Sequence, residues 1–131
     1  MPPKLEGVLE TVLYYSDEEK TRHFYSDILG MRLVGRELGR SLFYRAGSSV
    51  FLLFRTDETL KGATLPSHGA TGPIHTCFLV SPGEYEPWKA HLTAQQIPIL
   101  QEVEWSEALS FYFHDPAGNV LEIANGDLWP Q

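Results

Sequence analysis

The chain predicts an α+β fold built from two tandem βαβββ modules within one domain. Three observations lead there. Glu10 and His75 each open an apolar, strand-like stretch followed by a serine and a helix start, and the same offset of 65 residues separates Ser16 from Ser81. Further on, Leu42-Phe43-Tyr44-Arg45 through Val50-Phe51-Leu52-Leu53 lies over Tyr112-Phe113-His114-Asp115 through Val120-Leu121-Glu122-Ile123 at an offset of 70, so the second copy is five residues longer. Finally, 131 residues with 43% hydrophobic content suffice for a core shared by two half-domains.

Module one spans about 6–57, a linker about 58–72, and module two about 73–127. Val8 to Tyr15 alternates as a strand, with Leu9, Thr11, Leu13 and Tyr15 on one face and Val8, Glu10, Val12 and Tyr14 on the other. Ser16 with Glu19, and Ser81 with Glu84, read as an N-cap serine with a glutamate at the third helical position. The first helix starts near Asp17, buries Phe24, Tyr25, Ile28 and Leu29, and stops at Gly30. Two or three strands then cover Arg32 to Arg55, with Ala46-Gly47-Ser48-Ser49 as a tight connection. Thr56 to Gly72 lacks periodicity and carries Gly62, Pro66, Gly69 and Gly72, as a linker does. Module two repeats the pattern of strand, helix and strands, with Asp115-Pro116-Ala117-Gly118-Asn119 as a hairpin turn that aims Glu122.

Composition narrows the function. With 17 acidic and 10 basic side chains, the net charge of −7 disfavours nucleic acid and anionic membranes, which need clustered Lys and Arg. The single Cys77 excludes an intramolecular disulfide and fits a reducing compartment, and no apolar run is long enough to span a bilayer. A cytoplasmic protein with a small-molecule substrate is the expectation.

Three residues stand out chemically. Glu10 and Glu122 are carboxylates inside apolar strands, where an ionised group is costly unless it meets a cation. His75 opens the strand equivalent to that of Glu10. If the modules pack with pseudo-twofold symmetry, equivalent strand positions face one cavity and these three side chains surround one point. Two carboxylates and an imidazole suit one divalent ion (Zn, Mn, Ni, Co or Fe) with positions left open for substrate. The alternative for Glu10 is an ion pair with Arg22, Arg45 or Arg55. Ser110, Tyr112 and His114 alternate with Phe111 and Phe113, which places the polar trio on the face of Glu122. Tyr112 and His114 either line that face or take part in proton transfer, and Tyr14 is a further candidate for positioning substrate. Cys77, on the face of His75, reads as a small buried thiol, and Trp88 and Trp129 as packing residues.

Phe24-Tyr25-Ser26-Asp27-Ile28-Leu29-Gly30, together with Phe113-His114-Asp115-Pro116-Ala117-Gly118-Asn119-Val120-Leu121-Glu122-Ile123, resembles the vicinal oxygen chelate superfamily, and the resemblance covers nearly the whole chain. The superfamily includes glyoxalase I, fosfomycin-resistance proteins, extradiol dioxygenases, methylmalonyl-CoA epimerase and bleomycin-resistance proteins. The resemblance implies a curved mixed half-barrel around a metal-binding cavity, with ligands at Glu10, His75 and Glu122. It implies a lyase- or isomerase-like enzyme whose metal acts as a Lewis acid on adjacent oxygens, with Glu10 or Glu122 moving a proton. A homodimer is also implied. Two alternatives stay open: a metal-free sequestering protein of the bleomycin-resistance type, holding its ligand against Tyr14, Phe54 and Tyr112, and an extradiol-type dioxygenase. Leu52 stands where glyoxalase I typically has a carboxylate, and the segment Ile123 to Asp127 has no Arg or Lys to hold a phosphonate.

Overall fold

A computed structural model describes residues 1–62 and 64–130. The chain divides into two compact units, Met1–Thr71 and Gly72–Gln131. The first holds β1 (Glu10–Tyr15), α1 (Glu18–Arg22), a π-helical turn (His23–Ile28), β2 (Arg32–Glu37), β3 (Ser41–Ala46), β4 (Ser49–Arg55) and a one-turn helix α2 (Thr56–Thr59). The second holds β5 (His75–Leu79), a 3₁₀ turn (Pro82–Glu84), α3 (Tyr85–Ala94), β6 (Gln101–Glu104), β7 (Leu109–His114) and β8 (Val120–Ala124). Their sheets have the same connectivity, β1-β4-β3-β2 and β5-β8-β7-β6. In each, the first strand runs parallel to the last, and the other pairs are antiparallel. The α+β fold of tandem βαβββ modules is therefore the observed one.

Each sheet buries one face against its own helix. In module one Leu13, Tyr15, Leu42, Tyr44, Phe51 and Leu53 are all buried, and the Tyr25 ring lies 5.4 Å from that of Phe51. In module two Phe111, Phe113, Leu121 and Ile123 are buried, with Tyr85 of α3 5.3 Å from Phe111. The period-two alternation read from the sequence thus assigns the faces correctly.

Register corrects the sequence overlay by one residue. Phe43 pairs with Leu52, whereas Tyr112 pairs with Glu122, so Phe43 is equivalent to Tyr112 and not to Phe113. The cause is the hairpin. Ala46 pairs with Ser49 across a two-residue turn, while His114 pairs with Val120 across five residues, Asp115 to Asn119. A one-residue slip in a strand moves every side chain to the opposite face, so Leu42 and Tyr44 match Phe111 and Phe113 on the helix side. The first-strand equivalence survives, because Glu10 pairs with Val50 just as His75 pairs with Val120.

Helix boundaries also differ from expectation. Asp17, not Ser16, caps α1: its Oδ1 accepts the Lys20 N–H at 3.0 Å, so the capping box does not form. Ser81 precedes a 3₁₀ turn and makes no side-chain cap bond. The apolar group Phe24, Tyr25 and Ile28 is reached by widening the helix, with Leu29 N–H donating to Phe24 O at 2.9 Å, before Gly30 ends it at a φ of 68°. The strand expected from Val8 begins at Glu10, and the linker opens with α2. Trp129, expected to pack, is 77% exposed.

Candidate metal-binding face of module two

The face of module two opposite α3 is built by register. Cys77 of β5 and Tyr112 of β7 flank Glu122 of β8 directly, and His75 sits two residues along on the same face, opposite Val120. Glu122 is 4% exposed, whereas the His75 side chain is half exposed. Their approach is close, with His75 Nε2 3.2 Å from Glu122 Oε1.

The tautomer follows from chemistry. His75 Nδ1 lies 2.8 Å from the carbonyl oxygen of Val120, which can only accept, so Nδ1 carries the hydrogen. In the neutral imidazole Nε2 is then a lone pair aimed at a carboxylate oxygen. Two such lone pairs are reconciled by a proton, on the ring or on the buried carboxyl, or by a metal ion bound to both. The other oxygen, Glu122 Oε2, is buried with no hydrogen-bond partner among the described residues. A half-exposed imidazole with its far nitrogen locked to a backbone carbonyl, next to a buried carboxylate with an orphaned oxygen, fits a divalent ion.

The hairpin after β7 positions the imidazole. Asp115 Oδ1 accepts the N–H groups of Ala117 and Asn119, both at 2.9 Å, and Asp115 Oδ2 accepts from Asn119 Nδ2 at 2.9 Å. Asn119 Oδ1 in turn accepts the N–H of Ile74 at 3.2 Å, and Val120 N–H donates to Ile74 O at 2.8 Å. Gly118 allows the loop to close at a φ of 86°. The turn expected to aim Glu122 therefore also fixes the backbone next to His75. Asp115 and Asn119 were legible as turn residues but not as anchors of the neighbouring strand.

Tyr112 shares this face, its ring 5.9 Å from that of His75, and its phenol is raised above the usual range by desolvation first and then by the charge of Glu122. It stays protonated and can donate. Cys77 is exposed, not buried as expected. Even so, the packing around its sulfur, and secondarily the Glu122 charge, push the thiol up to about 12. His114 is exposed at the end of β7. Glu10 is exposed at the first residue of β1 in module one. Of its possible arginine partners, Arg55 is taken by Asp57 at 2.8 Å. Leu52 lies in the position equivalent to Glu122, so module one has no last-strand carboxylate. Among the described residues no three His, Cys, Asp or Glu side chains are grouped so as to hold a metal, and no helix is long and apolar enough to cross a membrane.

Known proteins share this architecture. A crystal structure of lactoylglutathione lyase from Agrobacterium tumefaciens superposes with a TM-score of 0.90 at 34% identity, covering 98% of each chain. Glutathione transferase FosA of Serratia marcescens is 27% identical over 95% of this chain and 84% of its own length. The fold alone is shared with the fosfomycin-resistance protein FosX from Listeria monocytogenes, solved with Mn(II), at a TM-score of 0.71 and 17% identity over 95% of this chain and 94% of that one. Residues 7–123 match the family model, and with the paired modules and the histidine–carboxylate face in place, the chain belongs to the Glyoxalase/Bleomycin resistance protein/Dioxygenase superfamily.

Proposed function

We propose that this protein is a divalent-metal-dependent enzyme of the lyase or isomerase type acting on a small substrate with adjacent oxygens. The observation that carries the reading is the 3.2 Å approach of a tautomer-locked His75 Nε2 to Glu122, whose second oxygen is buried and unpartnered. In this reading His75 and Glu122 hold the ion and Glu10 is the third ligand, supplied by the same chain or by the other copy in a homodimer. A bound ion would supply Lewis acidity, offsetting negative charge that develops on the substrate oxygens. The protein's own groups do the rest. Tyr112 donates a hydrogen bond to a substrate oxygen, Glu10 or Glu122 carries the proton between substrate positions, and His114 stands at the edge of the face to orient the substrate.

The likeness to a lactoylglutathione lyase supports this class, while Leu52 argues for three protein ligands and not four. The absence of Arg and Lys from Ile123 to Asp127 disfavours a phosphonate substrate despite the likeness to FosA. A homodimer and a cytoplasmic location complete the proposal.

Plasma mass spectrometry on untagged protein tests it. About one equivalent of a transition metal is expected in the wild type, and less than about a tenth of that in His75→Ala and Glu122→Ala. Protein that remains metal-free after reloading and yet takes up ligands would belong with the sequestering, bleomycin-resistance type. Catechol-dependent oxygen uptake after Fe²⁺ loading would make it a dioxygenase.

A further inference from the structure

The open face of module one carries a second constructed feature, and its key residue comes from the linker. His68 is exposed, yet it is held on three sides. Its Nδ1 is 2.7 Å from the Tyr14 hydroxyl, and its ring meets the Phe54 ring edge-on at a centroid distance of 5.1 Å. Its backbone N–H donates to Thr59 O at 3.2 Å. The next residue, Gly69, is pressed so close to Leu60 and Thr56 that a Cβ there would lie 2.8 Å from Leu60 Cγ, and Thr56 Oγ1 donates to Ala70 O at 2.9 Å. The one-turn helix α2 thus folds the linker back and sets one imidazole over the sheet.

That imidazole closes an apolar strip. Val12, Leu52 and Phe43 form one cross-strand row, and Tyr14 and Phe54 form part of the next. All are half-buried, and Phe43 lies over Gly35, where a Cβ would come within 2.9 Å of its ring. A phenol is the stronger donor and a neutral imidazole nitrogen the stronger acceptor, so across the 2.7 Å contact Tyr14 donates to Nδ1 and the ring's own hydrogen lies on Nε2. The Arg40 guanidinium stands 6.0 Å from the Phe54 ring centre. An apolar floor therefore ends at the N–H donor of His68, which suits an acceptor group, with Arg40 beyond it engaged by Glu37 at 3.4 Å and by Glu58 O at 3.2 Å. Glu10 lies on the same face four residues before Tyr14, about 13 Å away at strand spacing.

We propose that this strip seats an unbranched apolar arm of the substrate ending in a carboxylate, and that His68 reads that end. The placement of the reacting head near Glu10 rests on the function proposed above, but the arm site does not need the metal.

Calorimetric titration of octanoate and octylamine into EDTA-stripped full-length protein separates the two ideas. Octanoate should bind about tenfold more tightly than octylamine. His68→Ala should remove that preference while leaving octylamine binding unchanged, and Tyr14→Phe, which frees the imidazole, should lower octanoate affinity a few-fold. Phe54→Ala should weaken both ligands. Equal binding of the two ligands, no binding of octanoate, or a preference that persists in His68→Ala would overturn the arm site. Loss of metal retention with the preference intact would overturn only the metal enzyme.

Discussion

His75 and Glu122 lie within reach of each other because a parallel strand pair sets them two positions out of register and so on one face, and the tautomer of His75 is decided by a backbone carbonyl. Alternation alone placed Glu122, Tyr112 and Ser110 on one face. What the sequence could not display is the support behind them, since Asn119 reaches Ile74 across 45 residues of chain. Both Asp115 and Asn119 are nearly fully buried. Asn119→Ala would deprive the Ile74 N–H of its side-chain acceptor and remove the Asn119 amide bond to Asp115 Oδ2, and should cost about 1–3 kcal/mol of stability. By loosening the strand that carries His75 it should also weaken metal binding about 10- to 100-fold, measurable by competition with a chelator dye. Unchanged metal affinity would remove Asn119 from any positioning role.

At the scale of elements, the duplicated pattern was readable because strands repeat every second residue, but overlaying the copies without pairing information slipped by one residue at β3 and β7. The two-residue turn of one hairpin and the five-residue turn of the other conceal the shift until hydrogen-bond partners are known. α2 and the docking of His68 were hidden for a similar reason, because the anchors lie in contacts that a glycine-rich linker does not advertise. The start of α1 offers a further test. Glu18 accepts from Arg36 at 2.6 Å and from the Gly39 N–H at 3.1 Å, tying the helix to the β2–β3 hairpin. Chiefly the Arg36 bond holds its carboxyl below the ordinary 4.5. A lowered folded-state pKa stabilises above the unfolded value and ceases to do so as the pH falls through the folded one. Glu18→Gln should therefore cost about 1 kcal/mol at pH 7, allowing for solvent screening, and the gap to wild type should close in acid. Denaturant melts at neutral and acidic pH would show it, and a pH-independent gap would assign the cost to packing.

Over the whole molecule, each module has its own aromatic core against its own helix. Phe111, fully buried between Tyr85 and Phe113, is central to the second. Phe111→Ala should cost about 3–5 kcal/mol, with hydrogen exchange accelerated in β7, β8 and α3. An unchanged exchange pattern there would contradict that assignment of the core. The order in which such a module assembles bears on the site. The β7–β8 hairpin closes over five residues, whereas the parallel β5–β8 seam joins His75 and Val120, 45 positions apart. Closing the longer loop costs about 2 kcal/mol more in chain entropy, so the hairpin zips early and the parallel seam late. His75 and Glu122 face each other across that late seam. No partly folded form of the module presents both, and a cation gripping the pair would act as a latch, slowing unfolding while leaving the folding rate nearly untouched.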